Sequence, residues 1–474
     1  MKLEFLIYFA GNNGIYRIWF SARTKSRAGP VSVAPPGFPG DRGIGSDAVR
    51  HPHLAAIDAE AWPGVATVPT GRLVDLRARV AEAGFARACA AAGLDLDPEG
   101  EPDLVVEHDA LFPRLAVSGW LGLAESFMAG EWRSERLVDV LEALISTGYR
   151  PQLGGRPLPP RPYGGGELPP ELVRLSSGDG LSAFGGVFAS GVPTTVRTAV
   201  PNHGRGPATH FVDLTTFSEP EAVDREDLGD AQTRAVMMLL DAARVTAGTH
   251  LLEYATSGGA VAIQAAHRRA TVDTLTADPA QARTVGEQLL LAGVEPSVHI
   301  SVIDTPVPGP REWRGSYDAI VSVEKLEMLS EGNRIRYIRA LDRLLTIGGY
   351  ATMQSVTATD ALSPVARQAL GVLRAYVWPG LDYPTTEDVH RLADRESGLR
   401  VIAQTHVGSH HEQSLAMQRS LFSGHTREAA AAGFDIAYRR LWDYQFALRE
   451  ALFRLGMLDT VQFTLTHRNR QGRR

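Results

Sequence analysis

Several short stretches of this chain combine acidic, small or ring-bearing residues at spacings that suit chemistry. Leu252-Glu253-Tyr254-Ala255-Thr256-Ser257-Gly258-Gly259-Ala260 sets a carboxylate and a run of small side chains between an apolar run and an alanine-rich segment. Small side chains let a ligand approach the backbone, and the amino terminus of a following helix favours anionic groups. A tight turn that binds nothing has the same pattern. Val321-Ser322-Val323-Glu324-Lys325-Leu326-Glu327 places two carboxylates and a lysine after a β-rich run, which reads as a functional carboxylate or as an exposed charged loop. Asp304 ends another such run and could accept hydrogen bonds from the amino group of a base, or be a solvated turn aspartate ahead of Pro306. His410-His411-Glu412 invites a metal reading, but adjacent side chains diverge and the i, i+4 spacing of a zinc peptidase is missing, so no metal is expected. The chain holds no Gly-x-Ser-x-Gly elbow, which disfavours an α/β-hydrolase.

The elements that would position these residues alternate. After residue 230, β-rich runs at Thr249–Tyr254, Ala270–Leu275, Val298–Ile303, Tyr317–Val323, Gly349–Val356, Arg400–His406 and Thr460–Thr466 are separated by helical patterns. Asp278, Pro279 and Gln281 form a capping-box start for one of those helices. Alternation of this kind implies a mostly parallel, doubly covered sheet, whose ligands bind beyond the carboxyl ends of the strands. All three turn motifs above fall at such ends. The first third reads as mainly helical, from the spacing over Leu73–Ala92 and at Leu137, Val140, Leu141, Leu144 and Ile145, with short extended pieces at Leu104–Val106 and Ala116–Val117. The expected organisation is a flexible leader (1–55), a small helical domain (56–150), a Pro/Gly-rich linker and irregular segment (151–225), an α/β domain (226–468) and a basic tail (469–474).

Composition narrows the class. Of 474 residues, 44% are apolar and 22% charged, ordinary globular usage that excludes collagen-like and disulfide-scaffold chains. A formal charge of −6 gives no global field for nucleic acid, and no nucleic-acid partner is expected. The lone cysteine, Cys89, excludes an internal disulfide and points to a reducing cytoplasm. The apolar run Phe5–Phe9 is far shorter than the roughly 20 residues needed to span a bilayer.

Two parts of the chain resemble the cyclopropane-fatty-acyl-phospholipid synthases, which use S-adenosylmethionine to alkylate double bonds in lipid acyl chains. Ser118-Gly119-Trp120-Leu121-Gly122-Leu123-Ala124-Glu125-Ser126-Phe127-Met128-Ala129-Gly130-Glu131-Trp132 is similar to a signature of the family's first domain. From Asp230 onward, the order of elements, the Val-Ser-Val run and the Trp378-Pro379-Gly380 turn follow the family's second. The resemblance implies an α/β fold with a Rossmann-like, seven-stranded methyltransferase sheet behind a small, mainly helical domain. It also implies S-adenosylmethionine as cofactor, contacted by Glu253, Tyr254, Ala255, Gly258 and Gly259, with Asp304 near the adenine. Glu327 matches the family's active-site glutamate. Gln354 stands where members have a histidine ligand to a bicarbonate ion, His411 where they have a tyrosine, and Met328 where a histidine follows the glutamate. The family's first two turn glycines are replaced, Ala255 among the replacements, and an alanine at positive φ costs about 1 kcal/mol. The implied function is transfer of a methyl or methylene group to the double bond of an unsaturated fatty-acyl lipid, by a cytoplasmic enzyme in peripheral contact with the inner membrane face. The alternatives are a catalytically degenerate member that serves as a lipid-binding or scaffolding subunit, and a methyltransferase for another small molecule.

Overall fold

The computed structural model describes residues 51–96, 101–151, 167–204 and 206–468, together with the backbone of an antiparallel hairpin, Glu4–Gly11 with Gly14–Ser21. Much of the expected leader, the Pro/Gly-rich stretch 152–166 and the whole basic tail lie outside the described residues.

Helices α1 (Arg72–Ala91), α2 (Leu111–Ser118), α3 (Trp120–Ala129) and α4 (Leu137–Ser146) form the helical module. Ala116 and Val117 belong to α2 and are not extended. Two adjacent apolar residues fit either periodicity, and here packing against the next helix decides. Gly122 makes that packing possible, because a Cβ there would stand 2.1 Å from the Arg114 carbonyl oxygen.

The remainder builds a nine-stranded mixed sheet, β1 (Pro193–Pro201), β2 (Thr209–Phe217), β3 (His250–Glu253), β4 (Thr271–Thr276), β5 (Val298–Val302), β6 (Tyr317–Val323), β7 (Leu345–Ala358), β8 (Leu399–His406) and β9 (Leu458–His467), in the order β1-β2-β8-β9-β7-β6-β3-β4-β5. From β7 to β5 neighbouring strands are parallel, while β9 runs antiparallel to β7 and to β8. The seven strands β3–β9 are the seven read from sequence. Strands β1 and β2 extend the sheet beside β8 from a segment expected to be irregular. β1 is solvated on both faces, so it carries no alternation of apolar and polar residues from which to read it.

Apolar side chains fill both faces of the sheet. Leu252, Ile320, Met353 and Phe463 pack with Ile338 and Val389 on one face. On the other, Leu251 and Val321 pack with Leu239 of α5 (Leu228–Ala242), Val261 of α6 (Ala260–His267) and Val285 of α7 (Pro279–Leu291). Asp278 caps α7 by accepting from Ala280 N at 2.8 Å, whereas Gln281 turns instead to the Thr276 hydroxyl at 3.2 Å. A third cluster joins the helical module to the rest: Phe85, Cys89 and Trp120 share it with Trp378, Trp442 and Phe446. The last two lie on α9 (Ile436–Arg454), which follows α8 (Gly408–Gly424).

Candidate functional site: a cavity at the carboxyl ends of the strands

The residues of the helical signature are occupied by packing. Arg114 donates from Nε to both Glu131 oxygens, at 3.0 and 2.9 Å, and from its terminal nitrogens to the carbonyls of Gly64, Val65 and Thr67. Burial pushes the Glu131 carboxyl up to about 7, against the pull of Arg114. Trp132 Nε1 donates to Leu123 O and Ser126 Oγ. Tyr376 donates its hydroxyl proton to Glu125 at 2.5 Å, tying the module to the α/β part.

Beyond the carboxyl ends of β3, β4 and β6 lies a cavity of about 320 Å³, within the usual size range for small-molecule sites. One side is the turn after β3, Ala255–Gly258, with Gln281, Thr284 and Val285 of α7. The other is apolar and aromatic, with Val323, Met328, Trp378, Trp442 and Phe446. Glu324 and Arg449 also line it. Ala255 adopts φ +65° and so accepts the left-handed conformation that glycine takes without strain. Gly258, at φ +78°, has the Leu181 carbonyl oxygen where a Cβ would be, 2.2 Å away. Glu253 stands behind this turn and braces it, accepting from Ser257 N at 2.8 Å and Ser257 Oγ at 2.5 Å. Burial raises its carboxyl pKa, and the Ser257 bonds oppose the rise.

Among the sequence-predicted cofactor contacts, the structure brings Ala255 and Gly258 to the cavity wall. Tyr254 is buried against Tyr337, and Gly259 caps α6. Asp304 is exposed, away from the lining.

Two of the three sequence-predicted catalytic positions, Gln354 and His411, approach a residue that the sequence left ambiguous. Glu324 is no exposed loop residue: it lines the cavity at φ +47°, an unusual conformation for a side chain of this size. Gln354 Nε2 donates to its Oε1 at 3.3 Å. Arg449 Nη2 lies 3.9 Å from Oε2, and His411 Nδ1 lies 3.6 Å from Oε1. Burial, and then Arg449, hold the His411 pKa well below its ordinary value, so the ring is neutral. Its Nε2 accepts from Arg449 Nη2 at 3.1 Å, which assigns the proton to Nδ1, facing Glu324. Glu327 is set deeper, accepting from Ser355 Oγ at 2.8 Å and Val356 N at 2.9 Å. Burial and the neighbouring Glu324 push it up to about 7. Burial also raises Glu324, with Arg449 opposing.

Two further features escaped the sequence reading. Glu167 accepts from Thr276 Oγ1 at 2.8 Å and Ala277 N at 2.9 Å, which sets a carboxylate at the end of β4 on the cavity wall. Beside it, burial lowers Lys325 to about 8, while the Glu167 charge acts the other way. On α9, Trp442, Gln445, Phe446 and Arg449 face the cavity at spacings of three, one and three residues, a helical stripe that could have been read.

Several cavity-lining polar atoms are buried without a hydrogen-bond partner among the described residues: Thr256 Oγ1, Trp442 Nε1 and both amide atoms of Gln445. Native proteins rarely leave such groups unpaired, so their presence on a cavity wall fits a polar ligand. With the small-residue turn and the start of α6, they suit an adenosyl-bearing cofactor.

Known proteins give the same reading. Residues 215–463 match the family of mycolic acid cyclopropane synthetases. The chain is 30% identical over 429 residues to the tuberculostearic acid methyltransferase UfaA1 of Mycobacterium tuberculosis, covering 87% of this chain and 96% of that protein. Among solved structures, the mycolic acid cyclopropane synthase CmaA1 complexed with SAH and CTAB is 21% identical, with 50% of this chain and 85% of that one covered at a TM-score of 0.46. The cyclopropane synthase MmaA2 from Mycobacterium tuberculosis is also 21% identical, over 52% of this chain and 87% of that one, with a TM-score of 0.46. The family match and the long alignment with UfaA1 make this chain a member of the mycolic acid cyclopropane synthetase family of S-adenosylmethionine-dependent methyltransferases.

Proposed function

We propose that the protein methylates the double bond of an unsaturated acyl chain carried on a lipid, as the name of UfaA1 describes for that relative's product class. The cofactor lies against Ala255–Gly258 and α7, where Thr256 and the backbone of the turn meet its polar groups. Glu167, at the end of β4, offers a carboxylate to its hydroxyls. The acyl chain lies along Met328, Trp378, Trp442 and Phe446. When bound, the cofactor supplies an electrophilic methyl group on a sulfonium.

The observation that carries this reading is the joining, in one cavity, of unpartnered polar atoms, an aromatic wall and the half-buried carboxylate of Glu324. Alkylation leaves positive charge on the alkene carbons that is discharged by loss of a proton, and a fixed carboxylate in a water-poor site stabilises that charge far more than water would. Gln354 donates to the Glu324 carboxylate, and Arg449 stands beside it as the countercharge. A subunit that only bound lipid would have use for the aromatic wall but none for the polar atoms at Thr256.

Incubating the purified protein with methyl-labelled S-adenosylmethionine and a monounsaturated phospholipid tests the proposal. Label in the acyl chain, located by mass spectrometry, is the expected result. Tight cofactor binding with label in no lipid would transfer the activity to another small molecule, and a folded protein that binds no cofactor would be a lipid-binding relative.

A further inference from the structure

Helix α1 presents one face to the core and an unusual one to solvent. Ala81, Phe85 and Cys89 are buried, whereas Leu73, Leu76 and Val80 are 73%, 62% and 65% exposed. Single exposed apolar residues are normal, but these three stand on one face of one helix. At about 100° per residue, Leu73, Leu76, Val80 and the exposed Ala83 fall within an arc of roughly 80°. Exposed arginines frame that stripe: Arg87 continues it, Arg72 and Arg79 lie along one flank and Arg77 along the other. Asp75 and Glu82, the acids of this helix, lie roughly 120–140° from the stripe's midline, beyond the arginines.

An apolar stripe edged on both sides by arginines, on a helix whose other face is anchored, is the arrangement of a helix lying in the boundary between headgroups and acyl chains. The long apolar stems of arginine fit that depth while the guanidinium reaches phosphate. Phe85 and Cys89 pack in the same cluster as Trp378 and Trp442 of the cavity wall, so a surface that seats α1 also fixes the cavity relative to it.

We propose that α1 docks the protein on an anionic phospholipid bilayer, with Leu73, Leu76 and Val80 inserted and Arg72, Arg77, Arg79 and Arg87 against headgroup phosphates. The proposal rests on the lipid-substrate reading above for its purpose, since the acyl chain must be taken from a bilayer.

Flotation of the full chain with phosphatidylcholine vesicles, with and without phosphatidylglycerol, tests it. Binding should be about tenfold or more stronger with the anionic lipid, and a Leu73→Ser, Leu76→Ser, Val80→Ser variant should lose it by a similar factor with unchanged circular dichroism and melting. Equal binding by the variant and the parent, or no binding by the parent, overturns the proposal. So does loss of self-association in the variant, seen by analytical ultracentrifugation, with vesicle binding intact, because the face would then join two copies. Methylation of the same lipid dispersed in detergent separates the two readings. Turnover there without vesicle binding sinks docking alone, and vesicle binding with no turnover on any lipid sinks the substrate reading alone.

Discussion

In the helical module, Arg114 has five hydrogen bonds to Glu131, Gly64, Val65 and Thr67, so that its buried charge is met on every side. On the cavity wall, Thr256, Trp442 and Gln445 are buried too, yet keep polar atoms with no partner among the described residues. Both regions contain residues that the family resemblance singled out or stand beside them, and only the second has chemistry left to offer. A motif can therefore mark a scaffold or a site, and the satisfaction of its polar atoms distinguishes the two. Of the helical signature's acids, Glu131 is bonded to Arg114 inside the module and Glu125 to Tyr376 of the α/β part, so the signature braces the module and ties it to the rest of the chain.

The sharpest way to break this comparison is to unmake the brace inside the module. Arg114→Ala leaves Glu131 buried without its cation, and removing one partner of a buried pair costs about 3–5 kcal/mol. The midpoint of urea unfolding should fall accordingly, with cofactor affinity in the surviving folded fraction unchanged. A loss below about 1 kcal/mol, as for an exposed pair, would show that the pair is not structural.

On the cavity side, Glu324→Gln keeps the shape and removes the charge. Loss of a preorganised electrostatic partner commonly lowers kcat by about 10²–10³, and that is the expected range here, with cofactor affinity by titration calorimetry nearly unchanged. Unaltered turnover would move the electrostatic role to Glu327, the residue the resemblance indicated.

The sequence exposed some of this and concealed the rest for physical reasons. Strands β3–β9 were readable because Val, Ile and Leu runs are forced by burial on the sheet faces. Strand β1 has no such pressure, and Gln281 satisfied a capping pattern while its side chain found a better partner in Thr276. Glu324 looked like part of a charged loop because neither burial nor a positive φ is written in residue type. Arg449 lies 125 residues from Glu324 in sequence, and only the fold brings them to 3.9 Å. The glycine-rich stretch before β1 seemed irregular, yet Gly185 has His411 Nδ1 where a Cβ would be, at 2.5 Å, so its lack of a side chain is what lets that loop close on the site.

The turn after β3 offers a comparison within the site. Gly258→Ala drives a Cβ to 2.2 Å from the Leu181 carbonyl at a positive φ, and overpacking of this kind costs about 1–3 kcal/mol. Cofactor affinity should drop about tenfold or more, since each 1.4 kcal/mol is tenfold. Ala255 already holds φ +65°, so Ala255→Gly relieves strain of only about 1 kcal/mol and should change affinity by less than about fivefold. Equal losses in both variants would mean that the turn rearranges when ligand binds.

The smallest effect separates activity from stability by their dependence on pH. Burial and Glu324 lift the Glu327 carboxyl from 4.5 to about 7, so between those values the folded protein keeps a proton that the unfolded chain has released. Folding stability contributed by this group is therefore greatest below 4.5 and declines as pH rises through about 7. Turnover should run the other way, because Glu324, raised by the same burial and held by Gln354 and Arg449, supplies its charge only when ionised. Glu324→Gln removes the like charge that helps to raise Glu327, so the fall in stability with pH should become shallower and move to lower pH. If that variant leaves the pH dependence of stability unmoved, the two carboxyls do not sense one another, and the deeper glutamate belongs with the scaffold on the Arg114 side of the comparison.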